Sequence, residues 1–108
     1  MGLKDMLGML KDAASMQRNM KKIQSQLRQK TVEFSSGGGK VVVTARGDAS
    51  IAGIRIDPSV MDPARPAALE KLIMAALEGA LEAAKRASAE EVRKLAGEMG
   101  LPPGLVDG

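Results

Sequence analysis

Along the first thirty residues the apolar side chains fall at Met6, Met9, Ala13, Met16, Met20, Ile23 and Leu27, three and four positions apart by turns. Such spacing is a heptad stripe on one side of an α-helix. Residues 3–29 contain no Pro and only one Gly, Gly8, so one long amphipathic helix is expected. The period then changes to two. Thr31 to Ser36 puts Val32 and Phe34 on one face, and Lys40 to Arg46 sets Val41 and Val43 opposite Val42 and Thr44. A third strand runs from Ile51 to Ile56 and stops at Asp57-Pro58, where strand signals end in turn chemistry. Gly37-Gly38-Gly39 can supply the positive φ angles of a hairpin turn, and Gly47-Asp48 makes a second turn. Asp57 before Pro58-Ser59 has the form of an Asx turn.

After Asp62-Pro63, Pro66 suits a first helical turn, where its missing N–H costs little. Ala67 to about Met99 reads as a second long helix, lined by Leu69, Ile73, Leu77, Leu81, Ala84, Val92, Leu95 and Met99. Gly100 is a suitable stop, and Leu101-Pro102-Pro103-Gly104 cannot continue the helix. The expected fold is therefore α+β, in the order α-β-β-β-α, with a three-stranded antiparallel meander and two long helices. One domain over residues 1–108 accommodates it: a basic helix (1–30), the meander (31–57), the second helix (63–99) and a tail (100–108).

A helix of about 27 residues spans roughly 40 Å at ~1.5 Å per residue, whereas a compact chain of this length has a radius of gyration near ~13 Å. Three strands cannot cover two such helices, so their far ends must project as arms. The expected arrangement is an antiparallel pair, with Leu3, Met6, Leu7 and Leu10 meeting Val92, Leu95 and Met99.

Composition sharpens this picture. Of 108 residues, 44% are hydrophobic and 27% charged, but Phe34 is the sole aromatic. A monomer with so little large apolar volume has a thin core, and burial against a second copy is the simplest remedy. The eight Met are read as adaptable core filler. The run Ala75, Ala76, Gly79, Ala80, Ala83, Ala84 and Ala87 makes a thin helix face that allows close approach of a sheet or a partner helix. Cys and His are absent, which removes disulfides, thiolate or imidazole zinc sites and the commonest acid–base group at neutral pH. Lys4, Asp5, Lys11 and Asp12 break any leader-like apolar run, and no stretch approaches the ~18 residues that span a bilayer. A cytoplasmic protein without cofactor or membrane partner is expected.

Net charge is +3, and its distribution says more than its size. Residues 1–30 carry seven cations against Asp5 and Asp12, while the rest of the chain holds nine cations and eleven anions more evenly spread. With Met6 at heptad position a, Lys4, Lys11 and Arg18 fall at f, Lys21 and Arg28 at b, and Lys22 at c, all off the apolar seam. A row of cations along a projecting helix suits duplex DNA, which carries about one charge per 1.7 Å of axis. Single-strand binders stack bases on aromatic platforms, and this chain has none to spare. Backbone contact with duplex and little base readout remain.

Several blander readings stand beside this one. Long exposed helices carry Lys and Arg simply to stay soluble. The opening segment is amphipathic and basic enough for a membrane surface, but it lacks Trp or Phe anchors. Its apolar end, with Leu7 and Leu10, could instead dock another protein, which would make the chain an adaptor and DNA binding incidental. Gly37-Gly38-Gly39-Lys40 superficially suggests a phosphate loop, yet Val41 follows where Ser or Thr belongs and no helix follows. Glu90-Glu91, and Asp57 with Asp62, have nothing converging on them for acid–base work. No catalytic residues are assigned, and the chain is expected not to be an enzyme.

The Met- and Gln-rich opening helix (Met16-Gln17 to Lys21-Lys22-Ile23-Gln24), the glycine turn into Lys40-Val41-Val42-Val43-Thr44, Ile54-Arg55-Ile56-Asp57-Pro58-Ser59 and Met99-Gly100-Leu101-Pro102-Pro103-Gly104 together resemble the YbaB/EbfC family. The likeness covers nearly the whole chain in order. It implies a nucleoid-associated protein, a tweezer-like homodimer whose arms engage duplex DNA, with roles in nucleoid organisation, gene expression or repair. It leaves room for a recombination or replication protein as a further partner. By position, the implied DNA-binding surface is Lys4, Lys11, Arg18, Lys21 and Lys22, with Arg86, Arg93 and Lys94 on the second helix. The opening segment (Leu3, Met6, Leu7, Met9, Leu10) is unusually apolar for such an arm, so association of arm tips into assemblies larger than a dimer is also expected.

Overall fold

The computed structural model describes residues 2–98 and Gly100. Met99 and the expected Leu101-Pro102-Pro103-Gly104 stop lie outside the described residues. The element order is α1 (Leu3–Gln29), β1 (Thr31–Ser36), β2 (Val41–Arg46), β3 (Ile51–Ile56), a 3-10 turn (Pro58–Val60) and α2 (Pro66–Glu98). This is the expected α-β-β-β-α order, with the strands in one antiparallel sheet ordered β1-β2-β3.

Local chemistry fixes each junction. Gly37, Gly38 and Gly39 all take positive φ (61°, 65° and 89°), which only glycine adopts without strain. At the second turn Asp48 Oδ1 accepts from both the Ser50 N–H (3.0 Å) and the Ser50 hydroxyl (2.5 Å). Asp57 Oδ1 accepts from the Ser59 N–H at 2.8 Å, the expected Asx turn, and Asp62 Oδ1 accepts from Ala64 N–H at 2.9 Å just ahead of α2. Pro66 opens α2 as its first residue. Past Glu98, Gly100 has φ +74°, suited to ending a helix.

The registers place Phe34, Val43 and Ile54 in one row across the sheet, with Ser36, Val41 and Ile56 in the next. This face receives α2, which lies over β1 and β2. Val41, Val43, Ala45, Ala76, Ala80 and Ala84 are fully buried between them. The alanine row brings helix and sheet close, and Gly79 brings them closer still: a Cβ there would collide with the Phe34 ring. Ser36 reinforces the contact by donating its hydroxyl to the Leu72 carbonyl at 2.6 Å. The core is thin, as composition suggests, and its largest fully buried side chains are two valines.

The helices do project. The molecule measures 74 × 20 × 19 Å with a radius of gyration of 20.2 Å, well above the ~13 Å of a compact chain of this size. The expected pairing of the tips does not form. Leu3, Met6, Leu7, Met9 and Leu10 remain 52–76% exposed. The reason is reach. The last turn of α1 is pinned beside the β2–β3 turn, where Gly47 N–H donates to the Lys30 carbonyl at 2.8 Å. Ala84 packs in the core with Ala45 at that same end of β2. From there α2 runs on for about 14 residues, roughly 21 Å, against roughly 40 Å for α1. Only Asn19, Ile23 and Leu27 of α1 are half-buried, and its outer half lies beyond the end of α2.

The methionines are not core filler either. All six that are described (Met6, Met9, Met16, Met20, Met61 and Met74) are 51–67% exposed. Met6, Met9, Met16 and Met20 lie on α1, away from the layer between α2 and the sheet, and within that layer the alanine face leaves no volume for a long side chain.

Candidate nucleic-acid interface

A continuous helix from Leu3 to Gln29 fixes where its cations point. At about 100° per residue, Lys4, Lys11, Arg18 and Lys22 fall within roughly 40° of one another around the axis, and Lys21 and Arg28 extend the arc to roughly 120°. All six are exposed. They form one flank of the rod rather than a scatter around it. Met9, Met16, Met20, Ile23 and Leu27 lie on the other side.

The cations are not equivalent. Arg28 reaches back to Asp48 (Nε to Oδ2, 3.7 Å) and so ties the arm to the β2–β3 turn. Arg18 donates to its neighbour Ser15 Oγ at 3.4 Å, within its own turn of helix. Lys4, Lys11, Lys21 and Lys22 enter no ion pair of the described residues, which leaves four ammonium groups on this flank open to an external anion. Five cations lie between residues 13 and 30 with no acid among them, so the inner two-thirds of the arm is uniformly positive.

Several cations elsewhere have partners among the described residues. Lys40 pairs with Asp57 at 3.9 Å, Arg55 with Glu33 at 3.7 Å and Arg86 with Glu82 at 3.7 Å. Arg46 donates to Ser50 Oγ and to the Ile51 carbonyl. On α2, Arg86, Arg93 and Lys94 are exposed but interleaved with Glu82, Glu90, Glu91 and Glu98, so the second helix carries no uniform positive flank. Asp48 is held below the ordinary carboxylate value by its hydrogen bonds from Ser50, with Arg28 and Arg46 adding to the effect. It therefore stays ionised and keeps Arg28 on the turn.

The anchoring of the arm escapes a reading of periodicity. Gly47 sits against the end of α1, where an added Cβ would lie 2.7 Å from the Leu27 carbonyl oxygen. Residue type signals a turn at Gly47-Asp48 but not that the turn grips a helix twenty residues upstream.

A second surface is apolar. Ile51 and Ile54 share the core face of the sheet by register but are exposed, because α2 covers β1 and β2 instead. On α2, Ile73, Leu77 and Leu81, spaced four apart, form a row on the flank opposite Leu72 and Gly79, the residues that meet β1. Ile73 and Leu77 are half-buried, and Leu81 and Met74 exposed. Ile51 and Ile54 on β3 and Leu81 and Met74 on α2 are thus exposed apolar side chains, while Ile73 and Leu77 pack partly against the core. No three carboxylate side chains among the described residues cluster as a metal site would require, and no helix of the described residues is long and apolar enough to cross a membrane.

Comparison with known proteins places this geometry. Residues 1–99 match the model of the YbaB/EbfC DNA-binding family. A nucleoid-associated protein of Rhodopseudomonas palustris (strain BisB5) is 45% identical over 101 residues, covering 94% of this chain and 95% of that one. One from Gluconacetobacter diazotrophicus is 39% identical over 95% and 96%, and one from Acetivibrio thermocellus 43% over 90% and 86%. The crystal structure of an uncharacterised Helicobacter pylori protein shares the fold with a TM-score of 0.65, at 23% identity over 92% of this chain and 97% of the other.

Proposed function

This chain belongs to the YbaB/EbfC DNA-binding family, and from that premise we propose that it coats duplex DNA of the nucleoid as a homodimer, gripping phosphates through the cationic flank of α1 with little regard to sequence. It acts by binding and not by catalysis. The observation that carries the reading is the flank itself: Lys4, Lys11, Lys21 and Lys22 stand exposed along one side of a projecting rod, without an ion pair among the described residues, and Arg18 lies among them. Cations spaced along a rod meet successive phosphates, and each contact releases counterions. With one half-exposed aromatic, Phe34, base stacking contributes nothing. Arg28 is a lesser contributor because Asp48 holds it. Arg86, Arg93 and Lys94 add to the grip only where duplex lies across both helices. The names of the relatives support a place on the nucleoid, with gene expression and repair as the processes such coating touches.

The homodimer reading rests on the apolar side chains of Ile51, Ile54, Ile73, Leu77 and Leu81. A thin core beside exposed apolar side chains is the pattern of a subunit completed by its partner, and a second copy burying this surface leaves both cationic flanks free. A recombination or replication protein would then meet the complex on DNA.

The test is a gel shift on random-sequence duplex with a salt titration. Engagement of about 6–10 phosphates gives a loss of ~10³–10⁵ in affinity between 50 and 200 mM salt. Joint replacement of Lys11, Arg18 and Lys22 by Glu abolishes binding and leaves the thermal transition in place, because all three are exposed. Binding that survives with the same salt slope rejects the assignment.

A further inference from the structure

The outer third of α1 differs from the rest in two ways at once. Its charge is balanced: residues 2–12 hold Lys4 and Lys11 against Asp5 and Asp12, whereas residues 13–30 hold five cations and no acid. Its apolar arc is also far wider. At about 100° per residue, Met9, Ala13, Met6, Leu10, Leu3, Ala14 and Leu7 cover roughly 160° of the circumference, while Met16, Met20, Ile23 and Leu27 cover roughly 60° nearer the sheet. A narrow seam is satisfied by one neighbouring helix, but an arc of nearly half the circumference needs two neighbours or a groove. Among the described residues it has none: α2 ends before reaching it, and the five large side chains are more than half exposed. The apolar surface that we assign to the dimer lies at the sheet, at the other end of the rod.

We propose that residues 3–14 of α1 are a self-association surface whose occupant is the same surface of a second copy, joining dimers tip to tip. Balanced charge lets two tips approach without repulsion, which the root, with five cations and no acid, forbids. The root carries most of the phosphate contacts, Lys4 and Lys11 add theirs from the side of the tip that faces away from the apolar arc, and that arc binds another tip, so a joined pair of dimers holds two duplexes side by side. The tip contact stands without the duplex-binding reading; the bridging rests on it.

Leu7→Gln with Leu10→Gln removes the arc's centre while keeping good helix formers, and Met6→Gln with Met9→Gln is an independent second pair. In sedimentation velocity at tens of micromolar, the native chain is expected to run at about twice the mass of either variant or more. Immobilised duplex should capture a second, labelled duplex through the native protein, and at least tenfold less through the variants, while affinity for one duplex stays within about twofold. Equal masses for native chain and variants overturn the proposal. So does unchanged mass with variant-sensitive pelleting on phosphatidylglycerol vesicles, which would make the tip a lipid-surface helix. Loss of all duplex capture with the mass difference intact overturns the duplex reading and leaves the tip contact standing.

Discussion

Ala49 holds a φ of +68° in the turn between β2 and β3, a region that costs a residue with a Cβ about 1–2 kcal/mol. Its N–H donates to the Arg46 carbonyl at 2.9 Å, and the surrounding Asp48–Ser50 bonds hold the strain in place. Ala49→Gly relieves it and is expected to raise stability by about 0.5–1 kcal/mol after the entropy cost of glycine, read as a higher thermal midpoint. The opposite result awaits Gly79→Ala, whose Cβ would collide with the Phe34 ring; overpacking of this kind costs about 1–3 kcal/mol. Acid acts on the same turn. Asp48 and Asp57 are both held below the ordinary value near 3.8, chiefly by hydrogen bonds from Ser50 and Ser59. A depressed carboxylate favours the fold above its unfolded value, and that contribution is lost as pH falls through its folded value. An Asp48→Ala chain should thus melt below the native one at pH 6, with the gap closing as the pH falls below the ordinary carboxylate value near 3.8. A gap that widens in acid contradicts the assignment.

At the scale of elements, α1 divides its circumference between a cationic flank and an apolar stripe, and α2 divides its own between an alanine face and an apolar row. The first division is a statement about charge density. Removing a single cation, as in Lys21→Ala, should weaken binding alike for every duplex sequence and lower the salt slope by about one. Lys71→Ala, far from α1 and next to Glu70, should leave both unchanged. A sequence-dependent loss would mean that Lys21 reads a base. Gly47 is the hinge-pin of the arm, because its N–H and its missing Cβ both meet the last turn of α1. Gly47→Ala forces that turn away by several tenths of an ångström. It should reduce duplex affinity more than sheet stability, seen by comparing the gel shift with the melting curve.

The whole molecule is a 74 Å rod with its stable part at one end. Core, turns and the exposed apolar side chains of β3 and α2 gather around the sheet, and the positive charge and the bare tip lie along the arm. If two copies bury those side chains, Ile54→Glu places a charge against its twin and should yield monomers by light scattering. Each monomer then offers one flank instead of two, and the salt slope should fall by about half. A dimeric Ile54→Glu protein would move the interface elsewhere.

Elements, their order and their turns were legible in the chain because each depends on local periodicity and on residue types with strong backbone preferences. Met6 to Leu27 could only be a helix, Gly37-Gly38-Gly39 only a turn, and Asp57-Pro58-Ser59 only a strand stop. The placement of Lys4, Lys11, Arg18 and Lys22 on one side follows as well, since a helix of known length fixes angle from sequence number. What could not be read was which surfaces those elements leave open. The tips of α1 stand bare because the Gly47 contact pins the other end and α2 runs out first. Alanines close the gap between α2 and the sheet and leave no room there for methionine, and Ile51 and Ile54 are exposed because α2 lies over β1 and β2. An apolar residue declares that it favours burial; only the packing of distant segments settles whether its own chain provides the cover.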